Sequence, residues 1–289
     1  MPTPIDQLHE TERVRQERTE MSFFDHIEEL RRHILRSALA ITVFGVVCFL
    51  NKDFIFNTLI FGPRNPDFPT FRVLCSLSHS AGWGEAMCFQ PVPFKIITRQ
   101  LGEVLMQHLY VSFWLGIICA FPFVLWEVWK FIRPGLLEAE QQAVRGIVAI
   151  CSALFLLGVA FGYFVIAPFS INFLAGYTLE GMEVSPTLDS YVTYMTMFTI
   201  PIGLVFEMPV VIYFLTKIGI LGYRTLQNYR RHAVVAILIV AAIITPPDVV
   251  SQVIVSIPLY VLYEVSIVVA KRVQQKRERA LSRSVQIME

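Results

Sequence analysis

Glu207 stands in Phe206-Glu207-Met208-Pro209, within an apolar run from Val192 to Leu215. It lies eight residues before Leu215, which at about 1.5 Å per residue puts it roughly 12 Å in from that helix end. Ionisable groups at such depth are costly and by default functional. Pro201 and Pro209 each remove a backbone donor, so the helix is expected to bend and open a polar groove beside the carboxyl. The alternative is a protonated Glu207 hydrogen-bonded inside a bundle. Gln252 and Thr245 are weaker candidates, because small polar residues in apolar helices usually bond across to a neighbour.

A second group of carboxylates brackets the first apolar segments: Asp25, Glu28 and Glu29 before one, then Glu127, Glu138 and Glu140. Basic residues are interleaved with them. Glu28 and Glu29 precede Arg32 by four and three residues, a spacing that gives helical ion pairs worth a few tenths of a kcal/mol. On charge pattern alone this is a solvated helix start. The functional alternative is a site for a cationic ligand, since carboxylates at a membrane surface accept guanidinium donors in a forked geometry.

Other chemistries find little support. There is no nucleophile elbow, no Gly-rich phosphate loop and no H-E-x-x-H helix, so no enzyme is expected. An intramembrane protease would need a second acid at the depth of Glu207, and none is expected there. His108 begins an apolar segment and reads as interfacial. The five cysteines form no C-x-x-C or metal-like spacing, so neither metal nor other cofactor is expected. Cys75 and Cys88 share a polar loop; in an oxidising compartment a disulfide would close a short Gly-containing turn there, and two free thiols are the alternative. A net charge of +1 makes no case for nucleic acid.

The elements that must position these groups are apolar helices. The 289 residues are 55% hydrophobic and 16% charged, too little polar surface to cover a water-soluble domain. Spans need about 20 apolar residues, and Ile34–Leu50, Leu109–Trp126, Gly146–Leu174 and Val192–Leu215 meet or approach this. The third carries Pro168 and is expected to tilt or kink. Pro246-Pro247 splits the last stretch into Ala233–Thr245 and Val249–Ala270. Six spans result, and the fifth, at about 20 Å, is too short for a hydrocarbon core of roughly 30 Å, so the bilayer is expected to thin beside it. Lys and Arg set the orientation: segments 1–36, 130–145, 217–231 and 271–283 hold 6, 3, 4 and 6, together 19 of the 24. Both termini are therefore expected in the cytoplasm. Trp126, Trp129, Tyr260 and Tyr263 read as interfacial anchors. The organisation is a cytoplasmic segment 1–33, a six-helix transmembrane domain 34–270 with a long outer loop 51–104, and a basic tail 271–289 expected to touch anionic lipid. No cleaved export signal is visible in the charged first 33 residues.

Four motifs in order resemble the TatC family, the multispanning component of twin-arginine translocation. They are His26-Ile27-Glu28-Glu29-Leu30-Arg31-Arg32; Phe121-Pro122 with Trp129-Lys130-Phe131-Ile132-Arg133-Pro134-Gly135-Leu136 leading to Glu140; Phe206-Glu207-Met208-Pro209; and Thr245-Pro246-Pro247-Asp248 with Ser251-Gln252 and Ile257-Pro258. The resemblance spans about Phe24 to Ala270 and implies an all-α, glove-like concave bundle with short fifth and sixth helices, set in the cytoplasmic (inner) membrane. It implies a receptor for twin-arginine signal peptides, in a protonmotive-force-driven translocase that exports folded proteins. Glu29, Glu140 and Phe131 match the signal-peptide site, Glu207 the intramembrane groove, and Thr245, Asp248 and Gln252 the place where single-span subunits of the TatA/TatB type pack; the assembly is oligomeric.

This sequence departs from the family at His33, where Arg is frequent, at Gln141 and Gln142, and in the loop holding Cys75 and Cys88. The rival from another class is a proton-coupled small-solute transporter with Glu207 as relay, which requires facing polar groups from several spans near the midplane. Few are visible, and no inverted repeat accompanies them.

Overall fold

The computed structural model describes residues 23–82, 84, 85, 88, 91–132, 144–181, 183–245 and 249–288. Helix α1 (Phe23–Leu50) runs into a π-helical turn, Phe54–Ile60, and a short 3-10 turn, Gly62–Arg64. Helix α2 (Pro69–Ser80) follows, then α3 (Glu103–Ile132). Helix α4 (Val144–Phe161), a π-helical turn (Gly162–Ile166) and α5 (Ala167–Gly176) form one interrupted rod. Helices α6 (Leu188–Val205) and α7 (Met208–Lys217) form a second. The chain closes with α8 (Tyr223–Asn228), α9 (Arg230–Ile244) and α10 (Val249–Met288). Among the described residues the only β pairing is one parallel bridge, Ile97 to Thr187.

Among the described residues, five stretches are long and apolar enough to cross a membrane: His26–Leu50, Glu103–Ile132, Gly146–Gly176, Leu188–Lys217 and Ser251–Lys276. Their surfaces require lipid. Along α1, Leu35, Leu39, Val43, Val47 and Leu50 are all more than half exposed, an apolar stripe that water would not tolerate. Helix α9 has 15 residues, about 22 Å of rise, which makes it the short element expected before the double proline. Pro246, Pro247 and Asp248 themselves lie outside the described residues.

α6 carries the centre of the core: Val192, Phe198 and Ile202 are fully enclosed, with Ile166, Val255 and Leu259 among their cluster. α1 lies along α3, α4 along α6, and α10 along α7 and α9. Glycine sets two of these seams. A Cβ on Gly116 would approach Ile41 O to 2.8 Å and Gly45 Cα to 2.9 Å, and one on Gly158 would approach Gly203 Cα to 2.8 Å. Gly158 and Gly162 form a G-x-x-x-G step, which lets helices in lipid approach to backbone contact.

The kink expected from Pro168 takes the form of the π-helical turn just before it, where a wide turn absorbs the lost backbone bond. Proline at 168 leaves the carbonyl of Phe164 without its usual helical donor. Thr70, on α2 of the loop 51–104, donates its hydroxyl to that carbonyl. Tyr163 and Tyr191 likewise donate to Leu59 O and Ile60 O, at 2.7 and 2.9 Å. The loop 51–104 is thus bolted to the spans rather than draped over them.

Two expectations need correcting. Trp129 and Tyr263 are buried at 8% and 6% exposure: Trp129 packs on Phe214, and the Tyr263 hydroxyl donates to Leu226 O. His108 is buried too, stacked on Phe49 at 4.1 Å and met edge-on by Phe56. These side chains close helix contacts instead of sitting at an interface. The tail continues α10 without a break to Met288.

Candidate functional site

The α1–α3 seam holds Glu28, Glu29, Glu127 and Phe131 of the sequence-predicted groups. Glu127, 1% exposed, accepts from Lys130 Nζ at 2.8 Å and meets His33 Nδ1 at 2.7 Å, with Arg36 Nη1 at 3.8 Å. A carboxylate this enclosed needs such partners, and its capacity is taken up by them. Glu28 is committed as well, to Arg32 at 2.7 Å. Glu29 is half-buried and has no cation within ion-pair distance among the described residues.

Phe131 stacks on His26 with ring centres 4.5 Å apart and presents an edge to His33 at 6.1 Å. Glu29 is three residues after His26 and four before His33, so all three share a helix face. The uncommitted carboxylate therefore shares a helix face with the two histidines that meet the aromatic ring, beside a cluster in which Glu127 is met by Lys130, Arg36 and His33. Such a surface can take a cationic ligand without first breaking an internal pair. Glu140 and Glu138 lie outside the described residues.

Glu207 sits at the break between α6 and α7. The ring of Pro209 cannot follow Val205 helically, so α6 ends there and Glu207 O accepts the first bonds of α7, from Val210 N at 3.0 Å and Val211 N at 3.1 Å. Pro201 is carried inside α6. The Glu207 carboxyl faces the Cys151 thiol and the backbone of Phe155, both on α4. Its Oε1 is buried with no hydrogen-bond partner, an unusual state for a carboxyl oxygen. An apolar cavity of about 290 Å³ lies farther along α6, lined by Trp114, Ile118, Leu156, Val159, Tyr163 and Thr199 among others. Trp114 Nε1 is also buried and unpaired.

At the far end of α9, Thr245 is 3% exposed and its hydroxyl donates to Ala241 O at 2.9 Å. Gln252, half-buried, donates to Leu238 O at 3.2 Å and so ties α10 to α9. Sequence reasoning missed Glu264, a second acid inside the Val249–Ala270 run, which corrects the expectation of a single one. It is paired: Arg230 Nη2 lies 2.8 Å from Glu264 Oε2, and Tyr260 donates to Oε1 at 3.1 Å. The visible signal was the i, i+4 spacing of Tyr260 and Glu264 on one helix face. Glu103 was missed as well. It is buried on the loop side of α3 and accepts backbone N–H bonds from Arg99 at 2.6 Å and Asp189 at 3.0 Å, joining the starts of α3 and α6.

Lipid-facing helices, a rim that gathers ionisable groups and a carboxyl set in a helix break define a polytopic helical membrane protein. The sequence matches the family described as Sec-independent protein translocase protein (TatC) over residues 25–258. The chain belongs to that family. It is 36% identical over 273 residues to the Sec-independent protein translocase protein TatC of Blattabacterium sp. subsp. Periplaneta americana (strain BPLAN), covering 91% of this chain and 100% of that one. It is 41% identical over 193 residues to the TatC of Helicobacter pylori (strain J99 / ATCC 700824), covering 66% and 78%. Two solved structures of a twin arginine translocase receptor, TatC, one of them in DDM, are 28% identical to it. They superpose with TM-scores of 0.62 and 0.66, covering 86% and 85% of this chain and 99% of each of those chains.

Proposed function

We propose that this protein is the signal-peptide receptor and core subunit of a twin-arginine translocase that exports folded proteins across the cytoplasmic membrane, driven by the protonmotive force. The observation that carries the reading is Glu29: a half-buried carboxylate on the helix face of the Phe131-contacting His26 and His33, with no cation in ion-pair distance among the described residues while Glu28 and Glu127 are both paired. Glu29 and Glu140 accept the two guanidinium groups of the arginine pair in forked geometry, and Phe131 offers an aromatic face against which a guanidinium stacks. The apolar part of the signal then enters the groove at Glu207, whose unpaired Oε1 provides an acceptor within the membrane.

The chain crosses the membrane six times with both termini cytoplasmic, α9 serving as the short fifth span, and the bilayer thins beside it. Single-span subunits of the TatA/TatB type pack at the outer tip of α9 and α10, around Gln252, Thr245 and Asp248. Thr245, whose hydroxyl is spent on Ala241, shapes the tip rather than bonding the partner. The cavity is too small and too apolar to conduct a folded protein, so passage is completed by an oligomeric assembly with those subunits.

The test is binding of the detergent-solubilised protein to a signal peptide carrying Arg-Arg and to the same peptide carrying Lys-Lys. A preference for Arg-Arg that disappears in Glu29→Gln and in Glu140→Gln is expected. Equal binding of the two peptides, or a preference untouched by both substitutions, overturns the proposal.

A further inference from the structure

The outer loop brings together three side chains that the translocation reading does not use. Cys75 and His79 are one helical turn apart on α2, the i, i+4 spacing that places two ligands on one face. The turn after α2 returns Cys88 to that face. Cys75 and Cys88 are joined in a disulfide, with Cα atoms 4.4 Å apart, and His79 Nε2 lies 3.8 Å from Cys88 Sγ. All three donor atoms fall within 4.8 Å of one another. The sequence does carry a metal-like spacing, Cys75-x-x-x-His79; it was hidden because the third donor arrives only through the turn.

We propose that, when the Cys75–Cys88 bond is reduced, Cys75, His79 and Cys88 form a binding site for a soft transition-metal ion of the zinc class. The closure of the turn does not depend on the disulfide. Ser78, fully buried, donates to Gly84 O at 2.7 Å. Ala81 N bonds to Leu77 O at 2.9 Å, and Cys88 N bonds to Glu85 O at 3.0 Å. Gly82 and Gly84 adopt positive φ of 75° and 59°, the left-handed region where glycine carries no steric cost. These bonds keep the two sulfurs near each other after the covalent link is cut.

Zinc bonds thiolate at about 2.3 Å and imidazole at about 2.0–2.1 Å, so a tetrahedral site needs donors roughly 3.5–3.7 Å apart. The His79 to Cys88 distance is already close to this. Cleavage lets the sulfurs separate to the same spacing, which a cysteine in a turn can follow. His79 is exposed, leaving the fourth position to water. Two thiolates and an imidazole select soft or borderline ions over Mg²⁺ and Ca²⁺.

The two states exclude each other. A dithiol reductant supplies two electrons and two protons, leaving as a disulfide and converting the S–S bond into two thiols. The metal then displaces those two protons as the thiolates bind it. One loop therefore has two alternative clasps, one covalent and one metallic, selected by the redox state of its compartment.

The experiment uses the full chain in detergent, oxidised or reduced with a phosphine under anaerobic conditions, with Co²⁺ as the probe. Reduced protein is expected to bind one equivalent with a thiolate-to-cobalt charge-transfer band that Zn²⁺ abolishes, whereas oxidised protein shows none. Cys75→Ser and Cys88→Ser should each lose the band. His79→Ala should weaken binding by more than the roughly 10- to 100-fold that loss of an outer-shell partner costs. A triple Ser variant of Cys48, Cys119 and Cys151 should keep it. The oxidised and reduced samples are one unmutated chain, so a misfolded variant cannot mimic the main result. Absence of the band from reduced protein, or its persistence in Cys75→Ser, overturns the proposal.

Discussion

Adding one methyl group at Gly162 is expected to damage the protein far more than adding the same group at Gly146, sixteen residues earlier on the same rod. A Cβ at position 162 would overlap the carbonyl oxygen of Phe198 and come within 2.9 Å of Thr199 Cα, both backbone atoms of α6. Carbon atoms pack best at about 3.5–4.0 Å, so the rods must part by at least roughly 0.6 Å. A gap of that size forfeits about a quarter of the dispersion energy along the seam, and overpacking of this kind costs about 1–3 kcal/mol. At Gly146 nothing lies within 4 Å, and Gly→Ala in a helix is worth up to about 1 kcal/mol in the stabilising direction. The assay is the unfolding free energy of each variant in mixed detergent micelles. Gly162→Ala should lie at least about 1 kcal/mol below wild type, with Gly146→Ala at or above it. Equal stabilities would refute the claim that α4 and α6 are held at backbone contact. Because Glu207 is only four residues beyond Gly203 on that seam, Gly162→Ala should also weaken signal-peptide binding while Gly146→Ala does not.

Glu29→Gln should weaken binding of an Arg-Arg peptide by about 1.5–3 kcal/mol, the worth of a hydrogen bond to a charged group, whereas Glu28→Gln, already paired with Arg32, should change it less than threefold; titration calorimetry separates the two. Thr70→Val removes the donor from the Phe164 carbonyl at a cost of about 1–3 kcal/mol, and Thr70→Ser should restore most of it, as read by thermal unfolding in detergent. Glu127→Leu leaves the enclosed His33 ring without its carboxylate partner, while the half-exposed Lys130 can turn to solvent; a loss of about 1–3 kcal/mol is expected, read as thermal unfolding in detergent, and unchanged stability would refute it.

Hydropathy and proline placement made the helices and their breaks legible, since an apolar run in lipid has little choice but to be helical. The break at Glu207 followed from Pro209 alone. Pro201 ends no helix, because a proline within a packed helix is tolerated where neighbours make good the lost bond. Charge counting could not sort the carboxylates around α1 and α3. Glu28, Glu29 and Glu127 look alike in one dimension, and only the crossing of α1 and α3 decides that His33 reaches Glu127 across 94 positions. The same limit hid the Arg230–Glu264 pair and the Thr70–Phe164 bond, each made between distant segments. Apolar periodicity also said little about the seams, where glycines matter for what they lack.

Helix α10 continues from Ala270 to Met288 without interruption, so eighteen residues, about 27 Å at 1.5 Å per residue, extend rigidly past the last apolar run. A rigid extension converts angle into distance. If the span tilts by about 10°, within the range that membrane helices adopt, the end of the rod sweeps about 5 Å. Small rearrangements among α7, α9 and α10 are thus magnified into a displacement large enough to be read by a spin label or fluorophore placed near its tip.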